Sequence, residues 1–76
     1  MKAKATDEQI YEFMDSYIAE HGYSPSVRDI CGGVGISSTS TMHTRLQRLL
    51  VKGMISKGKG ARTYRTIPRG EWKTDA

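Results

Sequence analysis

Near the start of the chain the apolar positions Ile10, Phe13, Met14, Tyr17 and Ile18 recur at i, i+3, i+4, i+7 and i+8, one face of a helix with 3.6 residues per turn. Thr6-Asp7-Glu8-Gln9 precedes them with capping-box spacing: the threonine hydroxyl accepts from the amide three residues on, and the glutamine side chain reaches back. Gly22 is placed to end this first helix in a left-handed conformation. Tyr23, Ser24 and Pro25 follow as an extended connection, because proline disfavours the helical region for the residue before it. Ser26 and Asp29 repeat the capping-box spacing, and Val27, Ile30, Cys31 and Val34 form a second helical stripe about two turns long.

Gly32 and Gly33 weaken that second helix, each by about 1 kcal/mol relative to alanine, so packing has to hold it. Gly35 supplies a turn and Ile36 tucks inward. Ser37 or Ser38 caps a third helix whose core face is Met42, Leu46, Leu49 and Leu50, and Lys52-Gly53 closes it. Beyond it, Met54 to Lys57 and Thr63 to Ile67 read as two short strands around Gly58-Lys59-Gly60-Ala61, a hairpin signal. Two helices joined by a short glycine-containing turn, then a hairpin, outline a mainly α fold: a three-helix winged helix-turn-helix with a small β-hairpin. The domain is expected over residues 1–67. Pro68 stops the second strand, and residues 68–76 read as a polar tail in which Trp72 is the one candidate for docking.

Length and charge narrow the classes. A chain of 76 residues builds one small core and little else. Its single cysteine excludes an internal disulfide, and its two histidines lack the spacing of a zinc site. No cofactor or metal is expected. No apolar run approaches the roughly 18 residues of a membrane span, and the amino terminus lacks the apolar core of a signal peptide, so a cytoplasmic protein is expected. The net charge of +4 is unevenly spread. Between Ile30 and Gly70 there is no acid, while Arg45, Arg48, Lys52, Lys57, Lys59, Arg62, Arg65 and Arg69 all fall there. Asp7, Glu8, Glu12, Asp15 and Glu20 gather at the other end, which predicts an acidic end and a basic remainder of the kind a phosphate backbone attracts.

The third helix opens on a crowd of hydroxyls, Ser37, Ser38, Thr39, Ser40 and Thr41. With Met42, Leu46 and Leu49 facing the core, Ser40, Thr44 and Gln47 turn to the opposite side, flanked by His43 and Arg48. Short hydroxyl side chains let a helix sink into a DNA major groove, where they bond base edges and phosphates or touch a thymine methyl. The plainer reading is one N-cap and a solvated face. The helix-turn-helix before the cluster and the basic hairpin after it favour the groove.

GYSPSVRDI, then VGISS, then LQRLLVKGMI, closing on a basic hairpin with Arg62, resembles the amino-terminal DNA-binding domain of the LexA repressor family over roughly residues 6 to 67. The resemblance implies a regulator of the SOS response that binds palindromic operators in double-stranded DNA as a dimer. By position it assigns base contacts to Ser38, Ser40, Thr41, His43 and Thr44, phosphate contacts to Arg28 and Lys52, and the wing to Lys57 through Arg62. Charge and helix position add Arg45 and Arg48 to the expected phosphate-holding set, with Lys57, Lys59 and Arg62 along the backbone or minor groove. Full-length members carry a second domain with a self-cleaving serine-lysine protease and the dimer contacts. This chain contains none of it, so autocleavage is not expected of it, and a weak homodimer on DNA and a monomer on one half-site both stay open. Gly32-Gly33 and the hydroxyl-rich third helix depart from the better-known members, so the family operator is not assumed for this chain.

Two other classes compete. A winged-helix protein-interaction module would use the third helix or the first, and Val51, expected almost opposite the core face, favours it slightly; a lone exposed valine is ordinary. An enzyme is disfavoured, because His21 and His43 have no acid or nucleophile placed around them and Cys31 lies on a core stripe.

Overall fold

The computed structural model describes residues 5–59 and 64–72. Its helices are α1 (Asp7–His21), α2 (Val27–Val34) and α3 (Thr39–Lys52); the strands are β1 (Ile55–Lys57) and β2 (Tyr64–Thr66). Both expected capping boxes form. Thr6 Oγ1 accepts from the Gln9 amide and Gln9 Oε1 from the Thr6 amide, while Ser26 and Asp29 repeat the exchange at the head of α2. Of the two candidate caps for α3 it is Ser38 that serves, accepting from the Thr41 amide at 3.2 Å. Gly22, Gly35 and Gly53 end the three helices. At Gly35, in the turn of the helix-turn-helix, φ is +79°, a region a side chain enters only at a cost.

Strand β1 pairs antiparallel with β2, Ile55 opposite Thr66 and Lys57 opposite Tyr64. The Ile67 amide adds one more bond, to the Met54 carbonyl at 2.9 Å, so the pairing reaches the expected ends near α3. The expected hairpin turn runs into residues 60–63, which lie outside the described residues. The three-helix winged helix-turn-helix architecture is thus the one expected.

Ile10, Met14, Ile30, Met42, Leu46, Leu49 and Ile55 form the fully buried centre, with Tyr11, Cys31, Met54 and Tyr64 around it. Phe13, Val34 and Leu50 are half-buried against it rather than inside it. Gly33 turns out to be a packing residue: the Phe13 ring lies where its Cβ would stand, so any side chain there would force the ring out of its place. Gly32 has open space around it.

The segment read as a polar tail is packed onto α1 as far as Trp72. After a short 3-10 turn (Arg69–Glu71) the Trp72 ring meets Tyr11 edge-on, with centroids 4.9 Å apart. The Ile67 carbonyl accepts from both rings, from Tyr11 Oη at 2.8 Å and Trp72 Nε1 at 2.7 Å. Arg69 lies over both rings and reaches Glu8 and Glu12. The expected division into an acidic end and a basic remainder is therefore only partly realised, because folding lays the acids of α1 against cations from the rest of the chain. Among the described residues no helix is long and apolar enough to cross a membrane.

Candidate nucleic-acid interface

Helix α3 packs on α2 and β1. Burial of Met42, Leu46 and Leu49 fixes its rotation, which leaves Ser38, Ser40, Thr41, His43, Thr44 and Gln47 exposed together on its outer side. Two of the expected base-contacting hydroxyls have local partners. Ser38 Oγ is the N-cap acceptor, which leaves its proton to donate outward, and the Thr44 hydroxyl donates to the Ser40 carbonyl at 3.3 Å, leaving its methyl group and lone pairs. Ser40, Thr41, His43 and Gln47 have no side-chain partner among the described residues, and no acid stands on this face.

The expected phosphate-holding cations divide into two sets. Arg45 does not join the outer face. Its guanidinium, only 14% exposed, donates to the Ala5 carbonyl at 2.6 Å and to Asp7 Oδ1 at 3.1 Å, which ties the middle of α3 to the entrance of α1. Lys52 Nζ reaches the other oxygen of the same carboxylate at 2.6 Å, and Arg48 Nε stands 3.6 Å from it. Those two stay about half exposed, at 49% and 54%. Burial alone would raise the Asp7 carboxyl, but hydrogen bonds from Lys52 and Arg45 and the charges of Lys52 and Arg48 outweigh it and hold the group below its ordinary value.

The second set has no carboxylate partner among the described residues. Arg28 is exposed in the first turn of α2, and Lys57 and Lys59 are exposed on the hairpin, Lys57 with Nζ 5.7 Å from the centre of the Tyr64 ring. Arg62, expected on the wing, lies outside the described residues.

The residue missed by the sequence reading is Asp7. Its position in the first turn of α1 explains it fully as a helix-terminal acid, and no local signal places it 38 residues away against Arg45.

An exposed acid-free face with cations on both flanks suits a polyanion. Among the described residues His43 stands exposed with no acid against it, Cys31 is buried, and a shallow groove between α1 and α2 is lined by Ala5, Gln9, Phe13, Gly33 and Val34, none of them titratable. No group of residues able to hold a metal ion occurs among the described residues.

Comparison with known proteins gives one family match and a set of relatives. The model of the LexA DNA binding domain matches residues 3–63. The LexA repressor of Clostridium novyi is 51% identical over 59 residues, which are 75% of this chain and 29% of that protein. The LexA repressor of Limosilactobacillus fermentum is 44% identical over 59 residues, 75% of this chain and 28% of that protein. A third, from Clostridium acetobutylicum, is 53% identical over 49 residues, 64% of this chain and 24% of that protein. The chain thus spans under a third of the length of the relatives it matches.

Proposed function

The chain belongs to the LexA DNA-binding domain family, and from that premise we propose that it binds double-stranded DNA sequence-specifically and represses transcription by occupying a promoter operator. The observation that carries this reading is the outer face of α3, where Ser38, Ser40, Thr41, His43, Thr44 and Gln47 are exposed together without an acid among them. Inserted in the major groove, that face offers donors and acceptors to base edges and the threonine methyls to thymine. Arg28 and the wing lysines Lys57 and Lys59 hold the flanking phosphates, and Arg48 and Lys52 do so at the far end of the helix. Arg45 is left out of the phosphate set, because its guanidinium is turned inward onto Asp7 and Ala5. Two copies reading two half-sites would combine their modest contacts through a shared effective concentration.

The test is selection from a random pool of duplex DNA, followed by affinity measurement across salt concentrations. With about five phosphates neutralised, log affinity falls against log salt with a slope of about −4 to −5. A palindrome with half-sites about one or two turns apart is expected for a pair of copies, a single short motif for a monomer. No enrichment and a flat salt response would refute the reading.

A further inference from the structure

Three cations from successive turns of α3 converge on one carboxylate that α1 supplies. Arg45 and Lys52 take opposite oxygens of Asp7, and Arg48 stands beside the Lys52 oxygen. The three contacts are not equivalent. Arg45 is largely covered and also bonded to a backbone carbonyl, which holds it in the seam. Lys52 and Arg48 are half exposed at the rim of the outer face and are free to turn towards solvent or a ligand.

From this arrangement we propose that Asp7 is an internal stand-in for a DNA phosphate, one that keeps Lys52, and more loosely Arg48, occupied until DNA displaces it. The inference rests on the DNA-binding reading above. A carboxylate oxygen 2.6 Å from Lys52 Nζ offers what a phosphate oxygen offers, a charge-assisted acceptor. An incoming backbone therefore exchanges one anion for another instead of finding a bare ammonium. Asp7 then tempers affinity for all duplexes alike, since the displaced contact is the same whichever bases lie in the groove. It also flattens the salt response: a carboxylate left behind by Lys52 takes up a cation from solution and cancels one released from the DNA.

Replacing Asp7 by asparagine removes the charge and keeps an oxygen that still accepts from Arg45. Circular dichroism and a thermal melt establish that the variant folds. Asp7→Asn is expected to steepen the salt slope by about one, the contribution of one newly available cation. At low salt it should raise affinity about two- to fivefold, as release of an exposed ion pair allows, by the same factor for a random duplex and for the selected site. In a Lys52→Gln background most of that gain should vanish. An unchanged slope, or a gain confined to one sequence, overturns the inference.

The wild-type chain supplies a second test that needs no variant to fold. Nitrogen NMR of the Lys52 ammonium should show coupling to a carboxyl carbon in the free protein and to phosphorus once DNA is added; coupling to the carboxyl that persists in the complex overturns the proposal. A wild type with no salt-dependent DNA binding at all is a different result, because it defeats the DNA-binding reading itself and the inference with it.

Discussion

Arg45 and His43 sit two positions apart on α3, both expected as DNA contacts, and folding sends them to opposite tasks. Arg45 faces the seam between α3 and the start of α1, 14% exposed, with its guanidinium held by a carboxylate and a carbonyl. His43 stands on the outer face, exposed and without a side-chain partner among the described residues. The seam is where polar groups are consumed in holding the helix at its angle; the outer face is where they are left available. A side chain's chemistry does not decide which of the two it joins. The 100° step along the helix and what α1 brings alongside do.

Paired substitutions give the sharpest way to break this contrast. Arg45→Ala removes the donor from the Ala5 carbonyl and from one oxygen of Asp7, so chemical denaturation should show a loss of about 1–3 kcal/mol. His43→Ala should leave stability within about 0.5 kcal/mol and instead weaken binding to the selected DNA site by about 1–3 kcal/mol, with relaxed preference at one base pair. If His43→Ala destabilised the fold as much as Arg45→Ala, the division between seam and face would be wrong.

A second seam, between α1 and the segment after β2, extends the same logic to the end of the chain. Trp72 is half-buried against Tyr11, and both rings bond the Ile67 carbonyl. Trp72→Ala should lower stability by about 1–2 kcal/mol, less than a fully buried ring would cost, and leave the salt slope of DNA binding unchanged. A melt identical to the wild type's would return residues 68–72 to the status of a tail.

The contrast also marks what could be read before the fold was known. Caps, glycine stops, the helical stripes and the hairpin were legible because each is settled within a few residues: Thr6 with Gln9, Ser26 with Asp29, Met42 with Leu46 and Leu49. The outer face of α3 followed from its core face by rotation alone. Arg45, Tyr11 and Gly33 were not legible in the same way, since what decides them lies elsewhere in the chain. Arg45 answers to Asp7, Tyr11 to a carbonyl 56 residues on, and Gly33 to the Phe13 ring. Tyr11 falls off the apolar stripe of α1 because it packs on a segment that the stripe does not face. Gly33 resembles a weak point when only helix propensity is counted.

Ser38 serves the fold and the outer face at once, so it can separate the two roles. Its oxygen caps α3 while its position opens the outer face. Ser38→Ala should cost about 1 kcal/mol of stability, the usual worth of an N-cap. Ser38→Asp keeps a good cap and even favours the positive end of the helix dipole, so the melt should hold or rise. The same substitution places an anion where DNA would lie and should abolish binding. Binding retained in Ser38→Asp would move α3 out of the groove.

The smallest effect, and the one that distinguishes the two seams without any mutation, is the dependence of stability on pH. Against the opposing effect of burial, Lys52, Arg45 and Arg48 hold the Asp7 carboxyl below its ordinary value. A depressed carboxyl contributes stability that is fully present above the unfolded-state value of about 3.9 and is lost as pH falls through the lower folded-state value. Acid therefore loosens the seam between α1 and α3. Tyr11 behaves oppositely: burial, together with the charge of Asp15, pushes its hydroxyl above the ordinary value. Its contribution is complete below the unfolded-state value of about 10 and is lost as pH rises through the higher folded one. Alkali therefore loosens the seam between α1 and the C-terminal segment, where the Tyr11 hydroxyl must give up its bond to Ile67. Denaturation midpoints measured from about pH 2 to about pH 11, a range that brackets both ordinary values, should hold level through neutrality and fall at both ends. In Asp7→Asn the acid limb should shrink, and in Tyr11→Phe the alkaline limb; a Tyr11→Phe variant with an undiminished alkaline limb would place that titration elsewhere.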